Sequence, residues 1–243
     1  VMAEEFTFAN VRRAVNGIAR YVVSQRPSGA RIIVGRDPRF LGETFCSMAA
    51  DILSSYGVIP LVIAEPAPTP AISYAVIKEK ADGAINFTAS HNPPEYNGIK
   101  FSTPDGAPAL PEVTKKIEAE IAASESAPAP KAPKAAAQSL DPQPAYLTRL
   151  KEIVDLGTIN KAGLRVVYDP LWGAARGYPD SLLREAGVEI ATVHDSRDVL
   201  FGGHAPEPDD HLLDGLREKM RVNEAHIGIA TDGDADRFGI VDQ

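Results

Sequence analysis

The segment TDGDADR, residues 231–237, places Asp232, Asp234 and Asp236 on alternate positions. Three carboxylates this close repel one another, and leaving them unpaired is costly. A hard divalent cation removes the conflict by taking oxygen ligands from all three. Gly233 and Ala235 keep the loop small enough to fold around an ion. An EF-hand loop also opens D-x-D-x-D, but it needs Gly at position six and Glu at position twelve. Arg237 and Gln243 stand there instead, and the run HIGIA leading in reads as a strand. The plain alternative is a solvated acidic turn. Three carboxylates with one further anionic group would suit Mg²⁺.

A second segment, TASHNPPEYNGIKF, residues 88–101, offers such a group. Ser90 falls just past a strand, where open α/β sheets bind ligands. No acidic residue stands beside it, and the adjacent His91 is poorly placed to face it. The G-x-S-x-G elbow of a hydrolase is absent. A phosphoryl group carried on Ser90 would supply the fourth ligand, and the ion would polarise the phosphate for transfer. Taken alone, Ser90 reads better as part of a structural turn. A reversal at Asn97-Gly98 would return Lys100 toward Ser90. There its ammonium could clamp anionic oxygens or exchange a proton; otherwise it is a solvated strand lysine. In GRDPRF, Arg36 and Arg39 either face phosphate or make surface ion pairs with Asp37 or Glu43. The other histidines form no i, i+4 pair, so no zinc site is read, and no G-x-G-x-x-G or P-loop pattern occurs.

The elements that must position these residues alternate. FANVRRAVNGIARYVVSQR has helical apolar spacing, RIIVGRD follows as a strand, and FCSMAADILSSYG is a helix closed by Gly57. VIPLVIAE is a strand that Pro60 marks as an edge or a late start. APTPAISYAVIKEK is a helix with Thr69 as N-cap and Pro70 at its first position. GAINFTAS and NGIKFST are strands, and PEVTKKIEAEIAAS is a helix. Residues 126–144, rich in Ala and Pro, read as a linker between a unit over 1–125 and another over 145–243. The second unit repeats the alternation: YLTRLKEIVDLGTI helix, LRVVYDP strand, GYPDSLLREAGV helix, VEIATVHD strand, HLLDGLREKMRV helix, then the strands AHIGIATD and FGIVDQ. Such alternation predicts α/β layers.

Composition bounds the partners. The 243 residues are 44% hydrophobic and 24% charged, with a net charge of −8. That balance disfavours a bulk electrostatic grip on nucleic acid or an anionic membrane. No apolar run approaches the roughly 20 residues a membrane helix needs. The start, VMAEEFTFANVRR, lacks the pattern of a signal peptide. The single cysteine, Cys46, excludes an internal disulfide framework and suits a reducing cytoplasm as a buried structural thiol.

Together, TASHNP with NGIK, GRDPR and TDGDADR resemble the α-D-phosphohexomutase family, as do the PTP of APTPA and the PEP of HAPEPDD. The wording of the serine segment looks most like the phosphoglucomutase/phosphomannomutase branch, with phosphoglucosamine mutase the runner-up. The resemblance implies two consecutive three-layer α/β/α domains with mixed sheets, the first half of a four-domain enzyme. It implies a phosphoserine at Ser90 that donates to a sugar monophosphate and is restored from a 1,6-bisphosphate such as glucose 1,6-bisphosphate. It implies one Mg²⁺ held by Ser90, Asp232, Asp234 and Asp236, with His91, Lys100 and Arg237 in the catalytic centre and Lys100 in acid–base work. It also implies missing partners: a Gly-rich opening motif, a sugar-reading loop and a phosphate-binding loop of the remaining domains. The expectation is therefore a fragment that need not turn over alone. A metal-dependent phosphatase with an aspartyl nucleophile and a non-catalytic sugar-phosphate-binding module are the competing classes.

Overall fold

The computed structural model describes residues 1–124 and 134–242. The first unit runs α1 (Phe8–Gln25), β1 (Arg31–Arg36), α2 (Gly42–Ser55), β2 (Ile59–Ile63) and α3 (Thr69–Glu79). It continues through β3 (Ala84–Phe87), β4 (Ile99–Ser102), α4 (Pro111–Ser124) and β5 (Gln138–Leu140). The second runs α5 (Gln143–Ile153), α6 (Leu156–Lys161), β6 (Arg165–Asp169), α7 (Pro179–Glu185) and β7 (Glu189–Thr192), then α8 (Asp214–Val222), β8 (Ile227–Thr231) and β9 (Phe238–Asp242). No helix among the described residues is long and apolar enough to cross a membrane.

Each unit is a mixed sheet between helices. The first sheet has the order β4-β3-β1-β2-β5 and the second β7-β6-β8-β9. Strand β1 is central and apolar on both faces, as a strand covered on both sides must be. Ile32 and Val34 pack with Val11, Val15, Phe45 and Leu53 from α1 and α2. Ile33 points the other way, into Ile72, Ala75 and Val76 of α3. In the second unit Val167 packs with Leu216 and Met220 of α8.

The two sheets share a plan. Strands β1, β2 and β3 are parallel and β4 lies antiparallel against β3. Strands β6, β7 and β8 are likewise parallel and β9 lies antiparallel against β8. The Ser90 segment joins β3 to β4, and the aspartate segment joins β8 to β9. Both chemical segments are thus the same connection in successive units.

Four local expectations change. Pro60 does not mark an edge: β2 lies between β1 and β5. Ile59 N–H is given to Ala30 O of the β1 side, and pairing with β5 begins only at Leu61, so the donor Pro60 lacks is not needed. In the 126–144 segment, residues 126–133 lie outside the described residues, but Gln138–Leu140 forms β5 rather than a bare connection. A free sheet edge offers backbone groups that need no large side chains to pair with. YLTRLKEIVDLGTI is two helices, because Asp155 caps a new one by accepting from Thr158 N–H at 3.0 Å. Thr69 is not an N-cap; it is the first residue of α3, and its hydroxyl is used elsewhere.

Candidate functional site

The serine segment is built on a buried ion pair. Asp37 and Arg39, at the end of β1, have side chains 0% and 1% exposed, with Arg39 Nε donating to Asp37 Oδ2 at 2.9 Å. Thr88 Oγ1 donates to the same carboxylate oxygen at 2.7 Å and accepts from Ser90 N–H at 2.8 Å. The four remaining N–H groups of the Arg39 guanidinium reach the carbonyls of Ser90, Asn92, Pro93 and Tyr96 at 2.6–3.0 Å. All five of its donors are occupied. This clamp sustains Ser90 at φ +54°, a left-handed conformation uncommon for residues with a Cβ. Burial pushes Asp37 up to about 6, while the Arg39 charge and the Thr88 bond pull it down.

The aspartate segment comes from the second unit and meets the serine directly. Asp232 and Asp234 are fully buried, and Asp236 is one-third exposed. One oxygen from each lies within 4.8 Å of the others. Ser90 Oγ donates to Asp232 Oδ2 at 3.2 Å, and Arg237 N–H to Asp232 Oδ1 at 3.0 Å. Strand pairing sets Lys100 opposite Asn86, and Lys100 Nζ reaches Asp234 Oδ2 at 2.7 Å and Asp236 Oδ2 at 3.0 Å. Thr69 Oγ1 donates to Asp234 Oδ2 at 2.6 Å.

Close backbone approach explains Gly233. A Cβ there would sit 2.7 Å from Ser90 O and 2.8 Å from Pro206 Cγ. Beneath the segment, Ala174 N–H donates to Gly233 O at 2.9 Å. The turn that carries Ala174 is held by Asp169, which receives Leu171 N–H and pairs with His194 Nδ1 at 2.9 Å. The His194 ring stacks on Trp172 at 3.8 Å.

The electrostatics are unequal. Burial, then the neighbouring Asp234, push Asp232 up to about 7. Burial acts the same way on Asp234, but the bonds from Lys100 and Thr69 outweigh it and hold this carboxyl below its usual range. Burial would lower Lys100, yet Asp234 and Asp236 raise it above its ordinary value, so it is an ammonium in this arrangement. Asp234 Oδ1 is buried with no hydrogen-bond partner. A buried carboxylate oxygen left without a donor is expensive. An all-oxygen set with one such orphan fits a hard divalent cation.

The structure thus brings together Ser90, Lys100, Asp232, Asp234 and Asp236. His91 adjoins them in the chain, but its Nδ1 has no partner and makes no bond to Ser90. The Arg237 side chain is 46% exposed and pairs with Glu207 at 3.2 Å. Arg36 and Arg39 do not face a ligand as expected for phosphate binding. Arg36 is 3% exposed and bound to Ala64 O and Glu43 at 2.8 and 3.0 Å, and Arg39 has no donor to spare. Nor do they make the surface ion pairs that were the alternative: both guanidinium groups are buried, Arg39 against the buried Asp37 and Arg36 against Glu43, because a buried guanidinium must be paired. Sequence reasoning missed Thr69, Asn86 and Thr88 as site residues; an uncharged side chain in a strand or helix start carries no signal of a partner 165 positions away, as for Thr69 and Asp234.

Comparison with known proteins places the chain in a family. Residues 1–128 match the family description "Phosphoglucomutase/phosphomannomutase, alpha/beta/alpha domain I", and residues 144–243 match domain II of the same family. The chain belongs to the phosphoglucomutase/phosphomannomutase family. Among curated members, it is 37% identical over 215 residues to the "Phosphoglucomutase/phosphomannomutase" of Thermococcus kodakarensis, covering 87% of this chain and 46% of that protein. It is 35% identical over 214 residues to the "Probable phosphoglucosamine mutase" of Thermococcus gammatolerans, covering 88% and 46%. A crystal structure from Thermus thermophilus superposes with a TM-score of 0.88 at 33% identity, covering 98% of this chain and 54% of that one. A phosphoglucomutase/phosphomannomutase family protein from Burkholderia thailandensis gives 0.82 at 26% identity, covering 100% and 52%. The chain therefore spans about half the length of the family members it matches. It carries the family's first two domains.

Proposed function

We propose that this chain carries the phosphoryl-donating serine and the cation site of a phosphohexomutase that interconverts hexose 1-phosphates and hexose 6-phosphates. The supporting observation is the meeting of Ser90 Oγ with Asp232 Oδ2 at 3.2 Å, across two domains and 142 residues. A serine needed only for a turn would not be held against a buried carboxylate cluster with an orphaned oxygen. Asp232, Asp234, Asp236 and the phosphorylated Ser90 would hold Mg²⁺, which when bound neutralises phosphoryl oxygens and stabilises charge developing in transfer.

In the transfer, the bond between phosphorus and Ser90 Oγ breaks as a sugar hydroxyl oxygen bonds to phosphorus. The sugar becomes a 1,6-bisphosphate, and its other phosphoryl group returns to Ser90 Oγ. Within this chain, the Arg39 clamp fixes the backbone that aims Ser90. Lys100, held as an ammonium by Asp234 and Asp236, can give a proton to the Ser90 oxygen leaving phosphorus and take up the proton that the attacking sugar hydroxyl releases, so that one proton passes from the sugar to the serine. Sugar reading and the grip on the distal phosphate fall to segments beyond this chain. Relatives named for glucose or mannose and for glucosamine phosphates match it about equally, so the hexose is left as the class.

The test is phosphoryl transfer to the chain itself. After incubation with glucose 1,6-bisphosphate and Mg²⁺, intact-mass and peptide analysis should find one phosphoryl group on Ser90, lost in Ser90→Ala. A phosphoryl group on Asp232 that survives Ser90→Ala would replace this reading with an aspartyl phosphatase. A folded chain, extended by the remaining domains, that never labels would refute both.

A further inference from the structure

Asp234 is gripped more elaborately than either neighbour. Thr69 binds it twice, giving its backbone N–H to Asp234 O at 2.8 Å and its hydroxyl to Oδ2 at 2.6 Å. Behind Thr69, Asn86 Nδ2 reaches Thr69 Oγ1 at 2.9 Å. The proton directions follow from chemistry. An ionised carboxylate only accepts, so the single hydroxyl proton of Thr69 points at Asp234. Thr69 Oγ1 must then accept from Asn86, which fixes the amide with its nitrogen toward Thr69. Asn86 Oδ1 is accordingly left without a partner, on a side chain only 2% exposed. The orphaned oxygen marks the cost of keeping that orientation.

Asn86 on β3 and Lys100 on β4 are direct register partners, so their side chains share a sheet face. From that face both supply Asp234 Oδ2, Lys100 directly and Asn86 through Thr69. Asp234 Oδ2 is saturated, and Oδ1 is the oxygen left free. We propose that Thr69 and Asn86 of the first domain are positioning residues that select which oxygen of Asp234, in the second domain, is presented to a divalent cation. The inference rests on the cation reading of the aspartate cluster given above. Neither residue touches the reacting atoms; Asn86 acts through Thr69, and Thr69 through Asp234. Outer partners of ligating carboxylates fix their orientation and tune affinity in this way.

The test measures Mn²⁺ affinity of the whole chain by electron paramagnetic resonance, with no turnover required. Thr69→Val should weaken binding by about 10–100-fold, the usual cost of losing such a partner. Thr69→Ser, which keeps the hydroxyl, should restore it. Asn86→Leu, remote from the carboxylate, should weaken binding in the same direction by less, with circular dichroism unchanged. If the unaltered chain binds Mn²⁺ and Thr69→Val or Asn86→Leu binds it equally well, Thr69 and Asn86 are structural and the inference fails alone. If the folded, unaltered chain binds no Mn²⁺, the cation reading fails and takes the inference with it.

Discussion

Arg39→Met tests the claim that one buried guanidinium organises the serine segment. The side chain is 1% exposed and its partner Asp37 is fully buried. Removing one member of such a pair leaves the other charge without compensation, which costs about 3–5 kcal/mol. The bond to the buried Ser90 carbonyl contributes a further ~1 kcal/mol, whereas water can replace several of the bonds to the more exposed stretch after it. The expected loss is about 4–6 kcal/mol at pH 8. It should be smaller at pH 5. Burial already raises Asp37 to about 6, and losing the Arg39 charge raises it further. At low pH the carboxyl escapes by taking a proton, which the unfolded chain, with an aspartate pKa of about 4, holds less tightly. Asp37→Asn added to Arg39→Met should recover part of the loss, a coupling of about 1–3 kcal/mol. Urea denaturation followed by far-UV circular dichroism at both pH values measures all of this. A loss below about 1 kcal/mol, as for an ordinary surface change, or one unaltered by pH and by Asp37→Asn, would refute the clamp.

Other outcomes follow from the same contacts. Gly233→Ala forces a Cβ against Ser90 O and should cost about 1–3 kcal/mol in urea while weakening Mn²⁺ binding. With Asp232 raised to about 7, the cation-free folded chain holds a proton that the unfolded chain releases near pH ~4. Its stability contribution therefore falls as pH rises from about 4 to 7, and Mg²⁺ competes with that proton. The rise in melting temperature on adding Mg²⁺ should accordingly be larger at pH 8 than at pH 5. Cys46 is 3% exposed and pushed by burial to about 12, so a thiol reagent should label it orders of magnitude more slowly in the native chain than in urea.

The two chemical segments are legible in the sequence because their residue types conflict unless something joins them. Asp232, Asp234 and Asp236 demand a counter-charge wherever they fold, and Ser90 followed by Asn-Pro-Pro stands out at a strand end. The alternating elements are legible for the same reason β1 is: its apolar run has to be covered on both faces. Arg39 shows where such reading stops. Its type suits a phosphate ligand and a buried clamp equally, and the choice depends on carbonyls that turn inward only once residues 90–96 have folded around it. Thr69 is misread as a cap because local pattern favours a cap, while a carboxylate from the other domain takes the hydroxyl. The strand β5 is hidden because its pairing uses backbone groups that every sequence possesses.

The seam between the domains gives the centre a mechanical character. Ser90, Thr69 and Lys100 stand on one sheet's framework, and the three aspartates on the other's. The bonds that join them are 2.6–3.2 Å long. Hydrogen bonds of this kind are lost within about 1 Å of stretching. A tilt of one domain against the other by that much would dismantle the centre while leaving both cores packed. The site is therefore a gauge of the angle between two bodies, and anything that sets that angle sets whether the serine faces its carboxylates.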